Sequence, residues 1–338
     1  MARIYGNLWE LIGNTPLLEL HRIRDKRRLH ARLLAKIEYL NPAGSIKDRT
    51  AWGIIRDAER SGRLRPGDLL VDVTSGNTGI GLAAVAASRG YRTKFYLRNI
   101  ISPDKINILK QFGAEVVLVD NNEFFGPGAI DAILARIRAE NPDAFFTDQR
   151  ANPSNPDIHV ETTGPELWND TDGAVDILVG AVGTGGTISG TGRYLKDRKP
   201  GLRVVVAEPA ADSLPSRDNP YAENIEGVHK VTEVEPGVLP ANYHETVVDE
   251  VLAVSVTAAR DAALVLAREE GILAGTSGGA VLSAALRIAA RPEAAGKVIV
   301  VMIPDSGERY LSPPAIPTQD AEPARATAAR IPEPALAG

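Results

Sequence analysis

The feature that most constrains this chain is a repeated order: a short apolar run, a turn rich in Gly, Ser or Thr, then a stretch with helical patterning. Leu69–Thr74 (LLVDVT) leads into Ile80–Arg89, which stops at Gly90, a residue suited to the left-handed turn that ends a helix. Arg92–Leu97 precedes a helix for which Ser102 is the expected N-cap, Pro103 a first-turn residue and Gly113 the stop. Glu115–Asp120 precedes Ala129–Ala139, Asp176–Val182 precedes Ile188–Lys196, and Arg203–Ala207 and Lys297–Ile303 supply further Val/Ile runs. Strands that are apolar throughout have to be covered on both faces. Their alternation with helices therefore predicts an α/β fold of mainly parallel sheets flanked by helices.

With 338 residues the chain suits two domains, at roughly 100–200 residues each. Its 38 Lys+Arg against 43 Asp+Glu leave a net charge of −5, which offers no general field for nucleic acid or anionic lipid, so neither is expected as a partner. The absence of Cys removes disulfides, thiolate metal sites and cysteine nucleophiles, and no metal site is expected. The opening MARIYGNLWELIGNTP carries Arg3 and Glu10 and lacks an apolar run of signal-peptide length, and no run of about 18 apolar residues follows, so a cytoplasmic protein is expected. Residues 313–338 hold 6 Pro and 8 Ala without apolar periodicity and read as a disordered tail.

In sheets of this kind ligands collect at the carboxyl ends of strands. Four loops there carry chemistry. Asn41–Arg49 (NPAGSIKDR) opens a helix whose Ala51, Ile54, Ile55 and Ala58 share a face, and Ser45 with Asp48 resembles a capping box. That places Lys47 in the first turn, where the helix dipole favours its neutral, nucleophilic form, although a surface lysine reads the same way. Thr74–Gly79 (TSGNTG) sets hydroxyls and an amide beside helix N–H groups, as a receptor for a carboxylate or phosphate or simply as a capped turn. Gly183–Thr187 (GTGGT) could cradle an anion. It is not a Walker loop, and it fails the dinucleotide fingerprint, despite Glu208 after the next strand, because Ile188 stands at the third glycine position. Gly275–Gly279 (GTSGG) places Ser277 near a helix start. Together these loops offer an amine nucleophile, two anion sites and a neutral hydroxyl, the set needed by a phosphorylated aldehyde cofactor reacting with an amino acid.

With these motifs in this order, joined by Ile12–Pro16 (IGNTP), Gln149-Arg-Ala-Asn-Pro, Thr162–Trp168 (TTGPELW) and Asp305–Ser312 (DSGERYLS), the sequence resembles the cysteine synthase (O-acetylserine sulfhydrylase) and cystathionine β-synthase family. These are pyridoxal 5′-phosphate enzymes of fold type II, with a tryptophan synthase β-like architecture. The resemblance implies a large cofactor-binding domain from residues 1–40 and 152–312, and a smaller mobile domain, 41–151, that closes on the substrate. It makes Lys47 the Schiff-base lysine and proton carrier. Gly183, Thr184, Gly185, Gly186 and Thr187 would hold the cofactor phosphate, Asn77 the ring hydroxyl, and Ser277 would face the pyridine nitrogen. Thr74, Ser75, Thr78 and Gln149 would receive the substrate carboxylate. The implied reaction is β-replacement on O-acetyl- or O-phospho-L-serine through an α-aminoacrylate. The family is usually homodimeric, and a serine acetyltransferase is an implied partner.

Two stretches depart from the family pattern. Where a glycine-rich segment of the type GIGAG is usual, Thr232–Gly237 reads TEVEPG, framed by matching His229-Lys230 and Leu239-Pro240. Glu233 and Glu235 at an active-site mouth would disfavour sulfide and favour an amine, amide or larger thiol, or else the segment is a half-exposed strand with its charges outward. Leu97–Ser102 (LRNIIS) replaces a stretch of the type MPETMS, and its Arg98 could pair with a substrate phosphate or carboxylate, or lie at the surface.

Overall fold

A computed structural model describes residues 4–311 except 75, 127, 217, 221 and 235–237. Ser75, Glu235 and the expected tail, 313–338, therefore lie outside the described residues.

Ten strands form two sheets among the described residues. They are β1 (Leu17–Glu19), β2 (Arg32–Ile37), β3 (Leu69–Val73), β4 (Arg92–Arg98), β5 (Glu115–Val119), β6 (Phe145–Phe146), β7 (Ile177–Ala181), β8 (Arg203–Pro209), β9 (Glu250–Val254) and β10 (Val298–Ile303). The larger sheet runs β1-β2-β10-β7-β8-β9 and the smaller β5-β4-β3-β6. These strands all pair in parallel except the edge strand β1 with β2.

The reason these runs become strands is visible in β10. Ile299, Val301 and Ile303 pack into one apolar cluster and Val298, Val300 and Met302 into another, on opposite faces of the pleat. Leu70, Phe95 and Leu97 face one cluster of the smaller sheet, while Val71, Tyr96 and Val119 face the other. At about 1.5–3 kcal/mol for each large apolar side chain taken out of water, this two-sided burial is what holds each sheet under its helices. The helix Lys47–Arg60 buries Ala51, Ile54, Ile55 and Ala58 completely, the face expected from their spacing.

Punctuation also falls where the sequence puts it. Gly90 takes φ +75° after the helix Asn77–Arg89, and the Ser102 hydroxyl accepts from the Asp104 N–H (3.2 Å) with Pro103 in the first turn. Gly113 follows the helix end at Gln111 with φ +83°. The strands β1, β2, β6 and β9 are not anticipated by the repeated strand-and-helix order. Two of them are only two and three residues long, and Glu250–Val254 has a mixed burial pattern without a clean period. Among the described residues no helix is long and apolar enough to cross a membrane.

Candidate active site

Lys47 opens its helix, as the loop chemistry requires, but the capping differs in detail from the expected box. The Ser45 hydroxyl accepts from the Lys47 N–H (3.2 Å), whereas the Asp48 carboxylate reaches back to the Ala43 N–H (2.6 Å) rather than to Ser45. Lys47 keeps part of its surface accessible, yet protein surrounds its amine closely enough that desolvation lowers its pKa to about 8, against an opposing pull from Asp305. A lysine in that setting reaches its neutral, nucleophilic form far closer to physiological pH than a solvated lysine does.

The amine faces the glycine loop. A Cβ on Gly183 would lie 3.7 Å from Lys47 Nζ and 2.7 Å from the Gly227 carbonyl oxygen. Gly185 adopts φ +86°, and a Cβ there would meet the backbone of Tyr243 at 2.6 Å. This cradle has no room for side chains at those glycines, and it ends on the first N–H groups of the helix Gly186–Arg198, which have no intrahelical partners. Its two threonines are held from behind. Asn155 Nδ2 donates to Thr184 Oγ1 (2.8 Å), and the His159 ring contacts Thr187 Oγ1 through Nε2 (3.2 Å) and Thr163 Oγ1 through Nδ1 (2.8 Å). Burial, reinforced by Arg49 and Lys47, holds His159 well below its ordinary pKa, so a neutral ring supports the loop. An anion cradle of backbone and hydroxyls beside an amine of lowered pKa fits a phosphorylated aldehyde.

The loop after β3 is the one expected to receive the substrate carboxylate. Thr74 Oγ1 accepts from the N–H groups of Gly76 (3.2 Å) and Gly79 (3.1 Å), which uses its lone pairs and leaves its O–H free to donate. Thr78 is buried in the first turn of Asn77–Arg89. Gln149 donates to the Val73 carbonyl (3.0 Å), which fixes it against the same strand end. Gly76 is at φ +129°, and a Cβ there would strike the Lys105 side chain at 2.8 Å.

Asn77 is bound at both ends of its amide. Nδ2 donates to Asp305 Oδ2 (2.6 Å) and to the Tyr310 hydroxyl (3.2 Å), while Oδ1 accepts from Arg309 (2.9 Å). Asp305 is buried, and burial raises its pKa despite the Tyr310 hydrogen bond. Its Oδ1 has no hydrogen-bond partner among the described residues and lies against Gly275, next to buried Ser277 at the start of Thr276–Ala289.

Under the site runs a charge network that sequence reasoning missed. Arg49, two residues after Lys47, bonds Glu38 through Nε (2.8 Å) and Nη2 (2.9 Å), and Glu166 through Nη1 (2.6 Å) and Nη2 (2.7 Å). Lys36 Nζ adds a contact to Glu166 (2.8 Å). Burial alone would raise the Glu166 pKa, but Arg49 and Lys36 bring it down to about 2. The signal was available, since Arg49 lies inside NPAGSIKDR and Glu166 inside TTGPELW.

The departures from the family pattern part company in space. Glu233 points into solvent with its side chain 86% exposed, ion-paired to Lys230 at 3.0 Å. Glu208, the residue a ribose site would have needed, instead accepts from the N–H groups of Val231 (2.8 Å) and Thr232 (3.0 Å), and so anchors that segment. Arg98 is half-buried at the end of β4, with its guanidinium over the Phe124 ring (4.3 Å to the centroid) and one hydrogen bond to Asn121 Oδ1 (3.2 Å).

A lysine amine facing a glycine loop at a helix start, with a hydroxyl-rich loop at a strand end of the other sheet, is an arrangement that suits pyridoxal phosphate in a two-sheet α/β fold. Residues 8–305 match the family model described as pyridoxal-phosphate dependent enzyme, and the chain belongs to that family. Within it the enzyme is of the cysteine synthase type, and pyridoxal phosphate is its cofactor. A cysteine synthase of Buchnera aphidicola subsp. Acyrthosiphon pisum is 42% identical over 315 residues, covering 92% of this chain and 98% of that protein. The crystal structure of O-acetyl serine sulfhydrylase isoform 3 from Entamoeba histolytica is 39% identical with a TM-score of 0.79, covering 91% of this chain and 90% of that one. That of an O-ureido-L-serine synthase is 36% identical with a TM-score of 0.79, covering 92% and 94%.

Proposed function

We propose that this enzyme carries out β-replacement on O-acetyl- or O-phospho-L-serine. The observation that supports this most is the Lys47 amine, lowered to about pKa 8 and lying 3.7 Å from where a Cβ on Gly183 would stand. When bound, pyridoxal phosphate supplies the electron sink that acidifies the substrate Cα–H and lets the β-substituent depart. Everything else falls to the chain. Lys47 takes the proton from Cα and later returns it, a role that needs an amine titrating near the working pH. The free Thr74 O–H, the Gln149 amide, Ser75 and Thr78 receive the substrate carboxylate. Gly183, Thr184, Gly185, Gly186 and Thr187 hold the cofactor phosphate, Asn77 addresses the ring hydroxyl, and Ser277 offers the ring nitrogen a hydroxyl in place of a carboxylate. Closure of residues 41–151 over the substrate would exclude water while Cβ is reactive.

Purified holoenzyme given O-acetyl-L-serine and sulfide should form L-cysteine, and Lys47→Ala should lose that activity together with the visible absorbance of the covalently held cofactor. Absence of product from every activated serine tried with the intact holoenzyme would sink the reading.

A second reading, with an amine, amide or larger thiol as the nucleophile, is favoured by Thr232–Gly237, where glutamates replace the usual glycines. A solved relative being an O-ureido-L-serine synthase supports variation of the nucleophile on this scaffold. The solvent-facing side chain of Glu233 weakens its own part in that choice, which leaves Glu235 and Arg98 as the candidates. A panel of sulfide, thiols, amines and hydroxyurea, compared by kcat/KM with one donor, separates the two readings. The expected homodimer is tested by light scattering of the same preparation.

A further inference from the structure

The strand β3 is apolar except for one acid. It reads Leu-Leu-Val-Asp-Val, and Asp72 stands two residues before Thr74, the first residue of the hydroxyl-rich loop. Asp72 is 2% exposed. An acid withdrawn from water in an apolar strand is costly to keep unless strong partners compensate it. Buried Glu38 meets the Arg49 guanidinium, whereas both oxygens of Asp72 meet neutral donors. Thr147 Oγ1 donates to Oδ2 (2.5 Å) and the Val73 N–H to Oδ1 (2.7 Å). Burial, opposed chiefly by the Thr147 hydrogen bond, lifts the Asp72 pKa to about 7.

Thr147 is fully buried and is the last residue of its segment that β3 holds. The strand β6 pairs in parallel with β3 through Leu70 with Phe145 and Val71 with Phe146, and the Thr147 N–H then donates to the Val71 carbonyl (3.1 Å). Asn152 Nδ2 donates to the Thr147 carbonyl (2.9 Å), so with the hydroxyl on Asp72 every polar group of Thr147 is fixed. Past it the chain turns, because Asp148 takes φ +49°, a left-handed backbone that no strand can continue. Gln149 comes back to β3 by its side chain, with Nε2 on the Val73 carbonyl (3.0 Å). Its own carbonyl accepts from Asn155 (2.8 Å) and Asn242 (2.9 Å). The hydrogen bond from Thr147 to Asp72 is thus the side-chain tie at the point where the turn toward Gln149 begins.

We propose that Asp72 is a positioning residue for the substrate carboxylate: through Thr147 it sets where Gln149 presents its remaining amide N–H beside Thr74. This rests on the reading of Thr74 and Gln149 as carboxylate receptors and adds the residue that holds the two in register. An ionised acceptor orients a hydroxyl more firmly than a neutral one, since charge-assisted hydrogen bonds are roughly twice as strong. One N–H of Gln149 is spent on Val73, and a shift of the turn misdirects the other. A displacement of about 1 Å in such a group is enough to weaken productive binding.

The test uses holoenzyme with Asp72→Asn, Thr147→Val, Thr147→Ser and Gln149→Ala. Calorimetric binding of L-alanine, which carries the carboxylate but no leaving group, reads the receptor without turnover. Asp72→Asn and Thr147→Val should each weaken L-alanine at least about tenfold, and Thr147→Ser, which keeps the hydroxyl, should recover most of that loss. In the Gln149→Ala background Asp72→Asn should weaken it no more than about twofold further, since the residue it acts through is gone. Cofactor affinity, and the visible absorbance before L-alanine is added, should match the parent. With O-acetyl-L-serine and sulfide the loss should fall on KM rather than on kcat. Losses that multiply in full in the double variant, an equal loss of cofactor affinity, or L-alanine binding indifferent to both Asp72→Asn and Thr147→Val would overturn the positioning role. Coupled losses of L-alanine affinity in an enzyme that converts no activated serine would uphold it and overturn the β-replacement reading instead.

Discussion

Arg49 and Arg98 are both arginines withdrawn from water within one enzyme, and they are treated in opposite ways. Arg49 gives its donors to Glu38, Glu166 and Thr15, and Lys36 completes the arrangement through Glu166. Arg98 has an aromatic platform and one amide oxygen. A guanidinium whose hydrogen bonds close within the protein is part of the frame. One left with a ring face and a single neutral acceptor is not, and the difference lies in the partners rather than in the residue type.

The contrast can be broken most severely at Arg49. Arg49→Leu strands the carboxylates of Glu38 and Glu166 in the interior, and a loss of about 3–5 kcal/mol is expected, read as a lowered denaturant midpoint. A loss below about 1 kcal/mol would remove the distinction between an arginine built into the frame and one that is not. Acid titration sharpens the same point. Glu166 has a folded pKa of about 2 against an ordinary 4.5, so its stabilising contribution is complete above 4.5 and is lost as pH falls through that window toward 2. Glu166→Gln should flatten this part of the stability-against-pH curve, measured by thermal melts across the acid range. Arg98→Leu is expected to leave stability within about 1 kcal/mol of the parent, because it removes no ion pair. A large loss there would show that Arg98 belongs to the frame after all. The mildest effect concerns Lys47: capture of the cofactor aldehyde by apoenzyme should accelerate as pH rises through about 8, where the amine loses its proton, and stopped-flow absorbance would follow it.

Much of this architecture was legible in the sequence. The apolar runs of β3, β4, β5, β7, β8 and β10 announce themselves because both faces of the sheets are covered, so hydrophobic residues crowd most positions. Local motifs likewise put Lys47 at a helix start and Gly183–Thr187 after a strand. The rest depended on contacts distant in sequence or on the direction a side chain takes. Nothing around Glu233 indicates that its side chain turns to Lys230 and solvent, and nothing around Glu208 says that it pins the backbone of Val231 and Thr232. Arg150 sits in plain view beside Gln149, but its hydrogen bond to the Val238 carbonyl is a property of the folded surroundings. Short strands such as Phe145–Phe146 exist because β3 offers them a pairing edge, which no local pattern records.

Asn155 carries a consequence for how this chain can vary. Its amide accepts from Thr50 (3.0 Å), donates to the Gln149 carbonyl (2.8 Å) and to Thr184 (2.8 Å), and presses on Gly186, which has no space for a Cβ. Three segments far apart in sequence thus meet at one side chain. In a deep mutational scan these positions should behave as a single heritable character: each change alone is harmful, and tolerated variants at one site depend on what occupies the others.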